Sequence, residues 1–359
     1  MASIYRRGRI WWISFYVGGR HRCQSLKTDS QKVAEAFRKK YDYELATNTL
    51  KIQNDVDLES LVTEYLKDVQ ARCAGQTYQT TKIFFRWFRE KTGFTLLNQL
   101  TPATVRDYFR DMQLSGRKPT TVNRYREILH AFFNYAIRAG SWVLENPVSK
   151  VPRMRCPDPQ IRFLTLNQIE DQLKVLEKSR CILATVAMLI YAGLRRNEAL
   201  WLTTKDVDLD KAMIYVTTKT VATEGWCSKT KRNRSVSIQS KLHPILAKFA
   251  LWRRRKYSRC PWFFPSPTGE RWDADNFSTD LRKINRAVKL PWAALDYRHT
   301  FGSQLAQKGT SLYKISKLMG NSERVAERHY AALMPDRMRE DVEFPPRDGT
   351  DKCSTKRAV

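Results

Sequence analysis

The chain has 359 residues, enough for two or three domains of ordinary size. Its 64 Lys and Arg against 36 Asp and Glu give a formal net charge of +28, a surplus that implies a polyanionic partner, nucleic acid first and an anionic membrane surface second. With 42% hydrophobic and 11% aromatic residues, real cores can form and wholesale disorder is excluded.

Residues 1–50 read as a small basic domain. Residues 3–28 have the pattern of an antiparallel meander, with Ile10 to Val17 rich in β-branched and aromatic residues and Gly18-Gly19 as a two-residue hairpin signal. A helix follows from a Ser30 cap, with Val33, Phe37, Tyr41 and Leu45 on one face. The first 40 residues hold ten Lys and Arg, Arg6, Arg7 and Arg9 among them, against Asp29 and Glu35. Such a sheet, with Tyr5, Trp11, Trp12, Phe15 and Tyr16, can read a nucleic-acid groove with one face and pack its helix with the other. About half of these aromatics are expected to be core, because a three-stranded sheet must pack on something.

Residues 56–145 read as a helical bundle. Leu58, Leu61, Val62, Tyr65, Leu66 and Val69 form one stripe, and Ile83, Phe84, Phe85, Trp87 and Phe88 a second. A third helix starts at Thr101-Pro102 and carries Val105, Tyr108, Phe109 and Met112. A fourth, with Val122, Tyr125, Leu129, Phe132, Phe133 and Ile137, stops at Gly140. Residues 146–160 hold Pro147, Pro152, Pro157 and Pro159, with Lys150, Arg153 and Arg155 as basic residues, and read as an extended interdomain linker. Residues 161–345 mix helices with a β-ribbon, Met213 to Thr217 with Arg234 to Ile238, and 346–359 is a polar tail. The fold class is therefore mainly α with small β elements (α+β).

The membrane alternative weakens on inspection. The longest apolar run, Cys181 to Leu194, contains Thr185, is too short to span a bilayer and runs into Arg195 and Arg196, which fits a buried core helix. The N-terminus has no signal-peptide pattern. Seven scattered cysteines without a C-x-x-C suggest free thiols in a reducing compartment, and five histidines show no metal-cluster spacing. The expectation is a cytoplasmic, DNA-associated protein with no metal and no cofactor.

Four segments of the C-terminal half, in this order, resemble the tyrosine recombinase (phage integrase) family. They are Ala192-Gly193-Leu194-Arg195-Arg196-Asn197-Glu198-Ala199-Leu200, then Ser228-Lys229-Thr230-Lys231 leading into Val236-Ser237-Ile238, then Leu295-Asp296-Tyr297-Arg298-His299-Thr300-Phe301, then Leu318-Met319-Gly320-Asn321-Ser322 with Glu327-Arg328-His329-Tyr330. The upstream organisation is similar too: an arm-type N-terminal domain, a helical core-binding domain, and the catalytic domain.

The resemblance implies that Arg195 and Arg298 are the two catalytic arginines, Lys229 the ribbon lysine, Tyr330 the nucleophile, and Glu198 the acid that supports the first arginine. The chemistry is coherent. Attack on a phosphodiester builds charge on two non-bridging oxygens, which forked guanidiniums can hold. Tyr330 would attack phosphorus and expel a 5′-hydroxyl, with Lys229 as general acid, leaving a 3′-phosphotyrosyl link. One phosphodiester is exchanged for another, so no ATP is needed, and the arginines replace a metal, which fits the absence of metal-ligand spacing. The resemblance further implies a homotetramer on two double-stranded DNA sites, a Holliday junction, and a DNA-bending accessory protein as a possible partner.

Two positions depart from the family pattern. Leu295 stands where a histidine is usual three residues before the second arginine, and Asn321 where histidine or tryptophan is usual beside the glycine. Leucine can accept no proton, whereas asparagine can donate one neutral hydrogen bond to a phosphate oxygen. General acid–base help is typically worth about 10²–10⁴ in rate. His299 is adjacent, at a position where the family commonly has a structural histidine, and is a candidate to compensate. Lys219 and Lys231 rival Lys229, and Tyr297 and Tyr313 rival Tyr330. Lys231, Arg232 and Arg234 are plausible phosphate contacts. A regulator derived from a recombinase and a type IB topoisomerase remain as alternatives.

Overall fold

The computed structural model describes residues 2–334, apart from 18, 48–54, 143–144, 159 and 229–231. Gly18, Lys229, Lys231 and everything from Pro335 onward, including the tail, lie outside the described residues. The chain divides into two compact units, Met1–Pro157 and Asp158–Val359.

The first unit opens with an antiparallel sheet of β1 (Ser3–Arg7), β2 (Ile10–Val17) and β3 (Arg20–Ser25), in that order. Alternation along β2 turns Ile13 and Phe15 inward, where they join Ala2, with Tyr41 and Leu45 of helix α1 (Gln31–Ala46) packed against them. Tyr16 is exposed, and Arg7 lies 5.6 Å over the Trp12 ring. Val33 and Phe37, expected on the buried face of α1, are exposed, and Ala34 is buried instead. A sheet this narrow covers only one stripe of the helix, and Ala34, Tyr41 and Leu45, seven and four residues apart, form it.

The bundle consists of α2 (Leu58–Arg72), α3 (Gly75–Thr92), α4 (Pro102–Leu114) and α5 (Pro119–Arg138). The expected stripes form its core, with Phe84, Phe85, Phe88, Phe132 and Phe133 fully enclosed. Ile83 and Ile137 face outward, and Trp87 is half-buried under Arg117. Residues 146–156 are not the free extended linker that their prolines suggested. Pro147–Lys150 form one 3-10 turn, and Val148 and Val151 are buried in the bundle core. Proline is tolerated at the first position of such a turn, where its missing N–H would have no partner. Arg126 donates to the carbonyls of Val151 (2.7 Å) and Val148 (3.1 Å), and Asn123 exchanges two hydrogen bonds of 2.9 Å with the Met154 backbone.

In the second unit, α6 (Leu166–Leu176) and α7 (Arg180–Ala192) precede the short α8 (Arg196–Leu200). The apolar run became α7, nearly all of it buried. Next come β4 (Val207–Asp208), β5 (Met213–Val216), β6 (Lys219–Val221), β7 (Glu224–Trp226) and β8 (Arg234–Ser237). The expected ribbon is β5 paired with β8, from Met213↔Ser237 to Val216↔Arg234. The hairpin β6–β7 was not anticipated. It is tied down by a Lys219–Asp206 ion pair, a Glu224–Arg271 pair at 3.0 Å, and Trp226 stacked on Trp201 with centroids 5.9 Å apart. Helices α9 (His243–Lys256), α10 (Ala274–Ala287), α11 (Ala294–Gln307), α12 (Leu312–Met319) and α13 (Glu323–Tyr330) complete the unit. No helix among the described residues is long and apolar enough to cross a membrane. The protein is mostly helical with small sheets.

Candidate active site

Helix α7 ends at Gly193, left-handed at φ 63°, and Arg195 follows as the residue before α8. The turn aims the Arg195 side chain across the unit while its backbone N–H donates to Glu198 Oε2 at 2.8 Å. Its Nη1 donates to Glu198 Oε1 at 2.8 Å, and its Nη2 reaches Gly320 O at 2.7 Å and Asn321 Oδ1 at 2.6 Å.

Arg298, on α11, is 6% exposed. Its Nη1 donates to Gly193 O, and its Nη2 to Met319 O at 2.7 Å and to Asn321 Oδ1 at 2.9 Å. Both guanidiniums thus converge on one amide oxygen. In this structure the Asn321 carbonyl oxygen accepts from the two arginines, and its amide N–H₂ is the group that could donate toward a phosphate. Burial, then the charges of Arg195 and Arg234, hold the Arg298 proton affinity down to about 9, which leaves a cation at neutral pH that a nearby anion would stabilise.

Glu198 is 2% exposed. Burial alone would raise its carboxyl, but hydrogen bonds and charge from Arg234 and Arg195 outweigh that and bring it down to about 2. Arg234, expected as a phosphate contact, is turned inward from β8 and forks onto Glu198, with Nη1 3.0 Å from Oε1 and Nη2 2.6 Å from Oε2. The signal for this was present in the strand. Arg234 lies two residues before the buried Val236, so period-two alternation puts both on the core side.

Tyr330, the last residue of α13, is 1% exposed, and its ring packs on Gly302 of α11, where a Cβ would overlap it. Its hydroxyl lies 3.0 Å from His299 Nδ1. Burial pushes the phenol up to about 12, with Arg298 pulling the other way. Burial, His329 and Arg298 hold the His299 imidazole down at about 4, so it is neutral at physiological pH. Leu295, at the start of α11, is 62% exposed.

Of the rival residues, Tyr297 is fully buried and accepts a hydrogen bond from Asn285 Nδ2 at 2.9 Å, Tyr313 is exposed, and Lys219 is held by Asp206. Arg6, Arg7 and Arg9 are exposed around the N-terminal sheet, and Arg155 and Arg232 are exposed in their own units. Lys150 pairs with Glu145 at 3.0 Å and Arg153 with Glu127 at 3.1 Å. Within the second unit, Arg195, Glu198, Arg298 and Asn321 are brought together with Arg234, whose pairing with Glu198 was not expected, and Tyr330 sits with His299. Among the described residues no group of three His, Cys, Asp or Glu side chains could hold a metal ion.

Residues 162–337 match the model of the phage integrase family, and residues 58–155 that of the phage integrase N-terminal domain. The chain is 24% identical over 277 residues to a tyrosine recombinase of Thermosipho africanus, covering 73% of this chain and 91% of the relative. It is 24% identical over 360 residues to a protein of Pseudomonas phage Pf1 named provisionally as an integrase, covering 96% of each. Among solved structures it resembles a lambda integrase tetramer bound to a Holliday junction, with a TM-score of 0.61 at 15% identity over 89% of this chain and 95% of that one. The class these findings define is a DNA strand transferase. The chain belongs to the tyrosine recombinase, or phage integrase, family.

Proposed function

We propose that this chain is an integrase that cuts and rejoins DNA at defined sites through a 3′-phosphotyrosyl intermediate, with Tyr330 as nucleophile. The observation that carries this reading is the convergence of Arg195 and Arg298 on the Asn321 oxygen, at 2.6 and 2.9 Å. An oxygen held between two guanidiniums stands in for a non-bridging phosphate oxygen, whose growing charge in the transition state such donors stabilise. Glu198 and Arg234 orient Arg195, and Lys229 protonates the departing 5′-oxygen. Because the phosphotyrosyl bond retains the phosphodiester's energy, the cycle needs no ATP, and the two arginines supply the charge stabilisation that a metal would otherwise give.

In the same reading, residues 1–50 contact arm-type DNA with Arg6, Arg7 and Arg9, residues 56–145 bind the core site, and 146–160 connect them to the catalytic residues 161–345, ahead of the tail 346–359. Lys150, Arg153, Arg155, Lys231 and Arg232 contribute phosphate contacts. Four protomers act on two duplexes through a Holliday junction, by analogy with the lambda integrase assembly. A DNA-bending accessory protein belongs among the candidate partners, and the protein works in the cytoplasm on nucleoid DNA.

The test is covalent capture in EDTA. Protein is incubated with source DNA and denatured, and the attached DNA is sequenced, with Tyr330→Phe as control. A Tyr330-dependent adduct at a few sites supports the proposal. Adducts spread over all DNA favour a topoisomerase, and tight binding without an adduct favours a regulator.

A further inference from the structure

The usual histidine three residues ahead of the second arginine is missing, and Leu295, which takes its place, has no proton acceptor. Deprotonation of the nucleophile therefore needs another group. We propose that His299 is that group: its Nδ1 receives the Tyr330 hydroxyl proton as the tyrosine attacks phosphorus. This rests on the integrase reading of the site.

The geometry supplies the first requirement of a general base, a heavy-atom distance of hydrogen-bond length. Tyr330 Oη is 3.0 Å from His299 Nδ1, and no other side-chain partner of that hydroxyl occurs among the described residues. Both groups sit on packed helices, His299 on α11 and Tyr330 at the end of α13, and Gly302 lets the ring lie flat against α11. The groups that act on the imidazole are Arg298 and Asp296 from its own helix, and His329 from α13, whose ring centroid is 5.4 Å away. Arg328 in turn disfavours charge on His329. The imidazole is accordingly neutral before DNA arrives, with a free lone pair on Nδ1 when the proton is on Nε2. A phosphate bound by Arg298 offsets the positive field that opposes an imidazolium.

The step balances. The Tyr330 O–H bond breaks and its proton goes to Nδ1. The O–P bond forms as the bond from phosphorus to the 5′-oxygen breaks, and that oxygen takes a proton from the general acid. Rejoining returns the His299 proton to the tyrosine.

The experiment follows covalent adduct formation by the full-length protein on a captured target site, across pH 6 to 10, for wild type, His299→Ala and His299→Gln. Glutamine keeps a hydrogen-bonding side chain but no basicity. Both variants should cleave about 10²–10⁴-fold more slowly near neutrality while retaining DNA, with the deficit shrinking as pH rises toward tyrosine ionisation. Added imidazole should partly restore His299→Ala. A substrate with a 5′-thiolate leaving group, which needs no general acid, should leave the deficit intact. Absence of any wild-type adduct overturns the integrase reading. A normal wild-type adduct with undiminished His299→Gln, or with a deficit constant across pH, overturns this inference alone.

Discussion

Gly302 faces the ring of Tyr330 so closely that a Cβ at Gly302 would overlap its Cζ and both Cε atoms. Glycine inside a helix costs about 0.5–1 kcal/mol relative to alanine, so propensity favours Gly302→Ala while packing opposes it. The methyl group must push the tyrosine away from His299. Adduct formation should fall on the order of 10²-fold, because misplacing a reacting atom by about 1 Å has that effect. DNA retention in a band-shift assay should be unchanged, and undiminished cleavage would show that Tyr330 does not react from this seat.

Glu198 is the counter-charge for Arg195 and Arg234. Its carboxyl is held at about 2 against an ordinary 4.5, so folding favours the ionised form. The stabilisation is fully present above the ordinary value and is lost as pH falls through about 2. Glu198→Gln should therefore cost about 3–5 kcal/mol at neutral pH, the usual penalty for stranding a buried charge. The gap between variant and wild type should narrow as the solution is acidified below the ordinary carboxylate range. Urea midpoints at neutral pH and in acid below the ordinary carboxylate value measure both, and equal midpoints at neutral pH would contradict the network.

Trp226 ends β7, three residues before Lys229, and stacks on Trp201 at an interplanar angle of 18°. Removing the ring with Trp226→Ala frees the hairpin that leads into that lysine. Cleavage of ordinary DNA should slow by about tenfold or more, up to the 10²–10⁴-fold that full loss of general-acid help brings. Cleavage of a 5′-thiolate substrate should be nearly normal. An equal loss on both substrates would place the defect elsewhere.

Asn123 pins residues 154–156 to the bundle, its amide N–H₂ donating to the Met154 carbonyl and to Cys156 Sγ and its amide oxygen accepting from the Met154 N–H. Asn123→Ala leaves the Met154 N–H and carbonyl to find other partners, at about 1–3 kcal/mol if they stay buried. Hydrogen exchange should accelerate at Met154, and protection identical to wild type would refute the assignment.

Much of this architecture is written locally. The bundle stripes at Leu58 to Val69 and Val122 to Phe133 follow helical spacing, and α7 declares itself by continuous apolar residues ended by Gly193. The site is legible to the extent that it rests on short motifs: Arg195 with Glu198, and Arg298 with His299, are close neighbours in the chain. What escaped depends on distant partners. Arg234 meets Glu198 across 36 positions, and His299 meets Tyr330 across 31, so neither pairing has a local signature. The 146–156 segment misled because proline content speaks for an open chain while Val148 and Val151, only two apolar residues, carry the packing. The β6–β7 hairpin is fixed by tryptophan stacking rather than by alternation, and three-residue strands give alternation little to show.

Arg298 is anchored by the carbonyls of Gly193 and Met319, where α7 and α12 end. Helix C-termini carry partial negative charge, so these dipoles stabilise the arginine alongside the Glu198 carboxylate, whose Oε2 lies 4.0 Å from its Nη1. Among the paired groups, Arg195, Arg234 and Arg298 against Glu198 leave two positive charges unmatched. Two negative charges is what a five-coordinate phosphorus carries on its non-bridging oxygens when a diester is attacked. On the integrase reading, the fold keeps a vacancy in its own electroneutrality that matches the transition state rather than the singly charged DNA linkage from which it forms.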